Sequence, residues 1–330
     1  LIELSLIDKV EEKTKELKEI NTNLEIRIAN EIKKNRDKLV ILSVARVSRQ
    51  LIKAQVTPDF IFSVDPHKES FDNSYEMLFF DETPIFVHAN HVYPGLLNQW
   101  HGKSVYLGAR LPWLSPLNIE NVGSIGPTVT NSALQTADYF GFERILLAGV
   151  DLCYTKSGIT HAEGSDEQAA GAKYNTTSLR VKTYSGEYRG TGEDFFAALK
   201  ALGGTAQSIG GSGKRVINLS ENAAVVESIV FELPETIQLS PLVQSVQLVA
   251  AEYLTLSEER KEVYYQQIIG ELGKALEHMQ GIEVLAKKAN KINTTMYNAQ
   301  GVIENYKDKK KLDKLEKLIN RRHHTYRKLV

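Results

Sequence analysis

Cysteine is almost missing from this sequence: the 330 residues contain one, Cys153. No disulfide can form within the chain, which suits a reducing compartment. Excess charge of either sign is missing as well. The 40 Lys and Arg are balanced by 41 Asp and Glu, a formal net charge of -1 at pH 7. The whole chain therefore has no electrostatic claim on nucleic acid or on a membrane surface. No apolar run reaches the length of a transmembrane helix. The opening "LIELSLIDKVEEKTKELKEI" has a short apolar part followed at once by acids, unlike a signal peptide. These absences predict a cytoplasmic protein. Several site signatures are lacking too. No G-x-G-x-x-G opens a helix, no D-x-D occurs, and no His/Cys spacing suits zinc. "SIGGSGKR" (208–215) fails as a phosphate loop, because Ser208 and Arg215 stand where that motif needs Gly and Ser or Thr. It reads as a flexible turn.

What is present is a chain long enough for two domains with a sizeable core. Residues 1–38 are charged, with Val10, Leu17, Ile20 and Leu24 at helical spacing, and read as an N-terminal helical segment. From Leu39 short apolar runs alternate with helix-like stretches. "LVILSV" (39–44), "PDFIFSVDP" (58–66), "PIFVHA" (84–89), "KSVYLG" (103–108) and "RILLAGVD" (144–151) read as strands. "RVSRQLIKAQ" (46–55) and "NSALQTADYFGF" (131–142) read as helices, the second ended by Gly141. Continuous apolar strands separated by helices predict an α/β fold, a Rossmann-like, mainly parallel sheet covered on both faces, over 39–233. After a long polar connection (151–191), the alternation resumes with "EDFFAALKALGG" (193–204), "TAQSI" (205–209) and a helix over 220–233 with Ser220 as its N-cap. Residues 234–330 show no strand pattern and predict a C-terminal helical domain. From 307 to 328 that region carries ten Lys/Arg against three acids. It reads as a solvated helix with an apolar seam of Leu312, Leu315, Leu318 and Ile319.

Ligands of parallel α/β sheets bind outside the carboxyl ends of the strands. Asp65 and Asp151 both follow strand ends, and two such aspartates can line one crevice. The structural alternative is that each only caps a turn. "NVGSIGPTVTNSALQTA" (121–137) is a small-residue approach to a helix, where Ser124, Thr128 and Thr130 are candidate phosphate ligands. One of them acting as an N-cap would explain the same pattern. His161, amid Thr160, Glu163 and Ser165, is a candidate general base. Cys153 reads as a small buried filler.

Three blocks carry a resemblance: "KLVILSVARVSRQLIKAQVTPDFIFSVDP", "NSALQTADYFGFERILLAGVDLCYTKSGITHAEG" and "RVINLSENAAV". Over roughly residues 38–230 the chain resembles the motility-associated factor family of bacterial flagellin glycosyltransferases. That family lies in the 6-hydroxymethylpterin pyrophosphokinase-like superfamily and is distantly similar to CMP-sialic-acid sialyltransferases. The resemblance implies transfer of a nonulosonic acid, pseudaminic or legionaminic acid, from a CMP donor to Ser or Thr of flagellin, with no metal required. It implies nucleotide-sugar binding by Asp65, Ser124, Thr128, Thr130, Tyr154, Ser220 and Asn222, with Asp151 shaping the strand exit. His161 would take the acceptor proton, and Tyr184 and Tyr188 would form a lid. Flagellin is the expected partner, with no nucleic acid and no membrane, and the amphipathic flanks permit self-association. Two family features are missing here. "KEINTNLEIRIANEIKKNRDK" (18–38) stands where a Gly-Pro-Ser loop is expected, and "YRGTGED" (188–194) lacks the sialyltransferase histidine. The alternatives are a pterin pyrophosphokinase-like enzyme, which would need ATP with magnesium, and a non-enzymatic flagellin-binding chaperone.

Overall fold

The structure is a computed structural model describing residues 26–81, 83–118, 122–123, 126–156, 158–159, 179–246, 249, 257–298 and 300–326. The chain forms two compact units, one of 1–108 with 122–252 and one of 109–121 with 253–330. The sequence put the boundary at 234. The residues after it still belong to the first unit: Leu242 N–H donates to Asp37 O at 3.2 Å, and Val246 packs on the first unit's core.

In the first unit a parallel sheet runs β1 (Leu42–Val44), β2 (Phe60–Ser63), β3 (Ile85–Ala89), β4 (Ser104–Leu107), in that order. Helices α1 (Ser48–Lys53), α2 (Lys68–Asp72) and α3 (Pro94–Gln99) occupy the crossovers. Every residue of β2 and β3 is buried, as two-sided strands require. Alternation splits them cleanly. Ile61 and its register partner Phe86 face a cluster with Met77, Leu96 and Trp100. Phe60, Phe62, Ile85 and Val87 face the other way, toward Val129 and Ala133. Buried Asp59 ties the preceding segment down. It accepts from Arg36 Nη2 at 2.8 Å and from Ile41 N–H at 2.7 Å.

Helix α4 (Val129–Tyr139) leads to a second parallel sheet in which β5 (Arg144–Leu147) pairs β8 (Arg215–Asn218), and β8 pairs β9 (Ile229–Phe231). Gly141, at φ +83°, ends α4. Gly141 N–H reaches Asp138 O at 2.9 Å and Phe142 N–H reaches Ala137 O at 3.3 Å. That pair of bonds is a Schellman closure, which a left-handed glycine permits. Between β5 and β8 come an antiparallel hairpin, β6 (Arg180–Lys182) with β7 (Tyr188–Gly190), and helix α5 (Glu193–Gly211). Leu134 of α4 packs with Leu147, Leu202, Ile209, Val216 and Ile229 in this half's core.

The sequence led us to expect strands 39–44 and 144–151 in one sheet. The α/β fold is as expected, but the described residues form two parallel sheets, four-stranded and three-stranded, with β1 and β5 each at an edge, beside the two-stranded antiparallel hairpin. Two further expectations are corrected. "TAQSI" is not a separate element but the continuation of α5, since Ala206 and Ile209 extend the buried stripe of Ala198 and Leu202. Residues 220–228 form no helix. Ala223 and Ala224 bond to the hairpin and to the β5 exit, and the β-branched and aromatic run at 229–231 takes up a strand.

The second unit is built on α6 (Glu258–Thr294) and α7 (Tyr306–Arg322). Ser257 and Asn305 cap them, accepting from the Arg260 and Asp308 N–H groups. Residues of α6 with reduced exposure recur at 264, 268, 271, 275, 278, 282, 285, 289 and 292, with 279 and 281 beside them, the alternating 4-and-3 spacing of a helix seam. Ala275 and Ile282 pack with Leu111, Trp113 and Tyr326, and the Arg110 guanidinium lies 4.0 Å from the Tyr264 ring centre. The Asn118 side chain braces the 111–118 turn, bonding Leu111 N–H at 2.8 Å and Leu111 O at 2.9 Å. No helix of the described residues is long and apolar enough to cross a membrane.

Candidate functional site

A polar cluster lies beyond the carboxyl ends of β5 and β8. After β5 the chain turns at Gly149 (φ +71°) and Leu152 (φ +51°). A left-handed leucine is sterically unfavourable. It is held by Thr191, whose hydroxyl donates to Leu152 O at 2.9 Å. Asp151 lies between the two turns. Its carbonyl accepts from Ala224 N–H at 2.8 Å. Although the residue as a whole is only partly buried, its carboxylate Oδ1 is sealed and has no hydrogen-bond partner among the described residues. Burial raises the Asp151 pKa, against the opposing pull of a Ser220 hydrogen bond and of the nearby Arg189 charge.

Arg189 is the residue the sequence did not reveal. It stands on β7 with only 10% of its side chain exposed. Nη2 donates to Asn222 Oδ1 at 2.7 Å and to Glu187 Oε2 at 3.1 Å, while buried Nε has no partner among the described residues. Lys156 pairs with Glu187 at 2.6 Å, and together with Arg189 it lowers the Glu187 pKa. The cluster thus holds a sealed donor, Arg189 Nε, and a sealed acceptor, Asp151 Oδ1. Buried polar groups without partners are uncommon and call for an explanation.

The surrounding backbone fixes these groups. Buried Asn218 donates from Nδ2 to Val150 O at 3.1 Å and accepts from Ser220 N–H at 2.9 Å, joining the β5 and β8 exits. Tyr154 N–H donates to Gly190 O at 2.8 Å, and its buried ring lies against Phe195. A Cβ on Gly190 would come within 3.2 Å of the Tyr154 ring, so β7 approaches this closely because glycine is there. Cys153 donates to Asn222 O at 3.4 Å, and burial pushes its thiol up to about 12.

The structure thus gathers Asp151, Tyr154, Ser220 and Asn222 in one place. Tyr184 belongs to the hairpin's anchor: its hydroxyl donates to Ile229 O at 2.9 Å and its ring stacks on Phe231. Burial raises its pKa. Tyr188 is 70% exposed. Asp65 follows β2 in the other sheet and accepts from His67 N–H at 2.9 Å, a local turn bond. No hydrogen bond or ion pair among the described residues joins it to Asp151. Thr128 is the N-cap of α4, and its hydroxyl donates to Asn131 Oδ1 at 2.7 Å. Thr130 sits in the first turn of that helix. Ser124, Thr160 and His161 lie outside the described residues. Arg189 escaped the sequence reading because "EYRG" has no motif; only the pairing of β7 with β6 turns its side chain inward.

The fold and this strand-exit cluster define a Rossmann-like α/β protein with its polar site at the carboxyl end of a parallel sheet. Residues 24–157 match the sequence profile of the family described as 6-hydroxymethylpterin diphosphokinase MptE-like. The fold is similar to that of the Maf glycosyltransferase from Magnetospirillum magneticum AMB-1, with a TM-score of 0.52 at 20% identity. The match covers 77% of this chain and spans 40% of the length of that one. No curated protein matches the sequence. The two matches support the resemblance to the motility-associated factor and MptE-like superfamily.

Proposed function

We propose that the chain is a protein O-glycosyltransferase moving a nonulosonic acid, pseudaminic or legionaminic acid, from a CMP donor to Ser or Thr of flagellin in the cytoplasm. The observation that supports it most is the sealed polar cluster of Asp151, Arg189, Ser220 and Asn222. It lies in a fold resembling a Maf glycosyltransferase, at the strand ends where such sheets bind ligands. In this reading the acceptor hydroxyl oxygen attacks the anomeric carbon. The bond from that carbon to the CMP phosphate oxygen breaks, and CMP leaves with the electron pair. The acceptor proton passes to a base, which we assign to His161. Arg189 would balance the charge gathering on the leaving phosphate, with Tyr154, Ser220 and Asn222 around the donor. Asp65, Ser124, Thr128 and Thr130 would complete the nucleotide site, Tyr188 the lid beside the anchored Tyr184. Asp151, its pKa raised by burial, would shape the strand exit beside the donor.

A second reading, a pterin diphosphokinase, is favoured by the profile match over 24–157. Isothermal titration separates the two. Transferase activity predicts binding of CMP that is lost in Arg189→Ala and weakened in Tyr154→Phe. Binding of ATP with magnesium but not of CMP would transfer the assignment to the kinase. Flagellin binding with no affinity for either nucleotide would leave the chaperone reading.

A further inference from the structure

The basic stretch near the end of the sequence plays no part in the strand-exit site. In the second unit α6 and α7 run antiparallel: Thr295 donates to Asp308 Oδ2 at 3.3 Å near one end, and His278 Nδ1 meets His323 Nδ1 at 2.9 Å near the other. An open cleft of about 620 Å³ lies between these helices. Half-buried Ile292, Leu315 and Leu318 make its floor, and exposed Lys288 and Lys291 of α6 and Lys311 and Lys314 of α7 make its walls. Lys311 is paired with Asp308 at 2.7 Å. Lys288, Lys291 and Lys314 have no carboxylate partner among the described residues.

Two side-by-side helices leave a groove that a third helix can fill, with apolar side chains on the floor and polar ones at the rims. Here both rims are positive. A second copy of the same face would be repelled, and a helix with carboxylates on its flanks would be attracted. A lipid surface fits less well. Interfacial helices bury an outward apolar face in the bilayer, whereas here the apolar atoms lie at the bottom of a cleft behind exposed lysines. We propose that this cleft seats an acidic amphipathic α-helix of a partner protein, completing a three-helix bundle.

The probe is a synthetic peptide of about three heptads with Leu at a and d and Glu at e and g, whose like charges oppose self-pairing. Its binding to the full chain is followed by fluorescence anisotropy. The expected result is binding that weakens as salt rises. Affinity falls by about tenfold or more in the Lys288→Glu, Lys314→Glu double variant. The Lys288→Gln, Lys314→Gln pair, which adds no acid, shifts it in the same direction by less. Unchanged circular dichroism in both pairs shows that the helices persist. The proposal is overturned if the acidic peptide does not bind, or if a Lys-for-Glu peptide binds equally well. Unchanged affinity in the double variants overturns it too, as does capture by phosphatidylglycerol vesicles in place of the peptide.

Discussion

Asp151 concentrates the chemistry of the fold in one side chain. Its neighbours pull it two ways: burial favours the neutral acid, while Ser220 and Arg189 favour the anion, and burial prevails. The folded chain therefore keeps this proton at pH values where the unfolded chain has released it. The group's contribution to stability is full below the ordinary aspartate value of about 4 and is lost as pH rises through the raised value. Asp151→Asn removes that loss. Urea midpoints measured from acid to neutral pH should show the variant gaining on the parent as pH rises. A variant that instead loses ground to the parent as pH rises would mean that Arg189 dominates and the site holds an anion. Of this cluster, Asp151, Tyr154, Ser220 and Asn222 were legible in the sequence, because a strand exit, a polar run and a family block mark them. Arg189 was not, since its burial depends on a hairpin packing from outside the β5–β8 unit.

At the scale of elements, the strands were the readable part, because four to six apolar residues in a row have few other uses in a polar chain. The reading failed where two kinds of segment share a composition. "TAQSI" looked like a strand of its own, yet it keeps the helical phase of Leu202. Residues 220–233 looked helical, yet the backbone of 223–225 bridges the hairpin to the β5 exit and 229–231 pair with β8. The α6–α7 pair carries a titrating contact of its own. Burial first, then the charges of His278 and Arg322, hold His323 below the usual imidazole range. Its ring fits against Gly281, where a Cβ would come within 2.7 Å. A depressed histidine pKa means that the unfolded state binds the proton more readily, so stability is lost as pH falls through the ordinary value of about 6.5. The parent should melt progressively earlier from about pH 7 to 5, and His323→Gln should flatten that slope, as followed by the helical circular dichroism signal during thermal unfolding.

For the molecule as a whole, two compact units imply two cores that fail separately. Ile282 is buried in the second unit only. Ile282→Ala should cost about 2–5 kcal/mol there and lower one unfolding transition while leaving the other in place. A single transition that moves as one would show the units to be thermodynamically fused. The two parallel sheets leave β1, β4, β5 and β9 as edges, and all are short, which limits their use as templates for pairing between chains. Cys153 has a consequence of a practical kind. Thiol reagents act on the thiolate, and this thiol is buried, with its pKa raised to about 12. Near neutral pH the folded chain should react only slowly with maleimides. A cysteine introduced at Lys288 or Lys314 would be labelled alone, so a fluorophore or spin label could report on the α6–α7 cleft without first removing any residue of the native sequence.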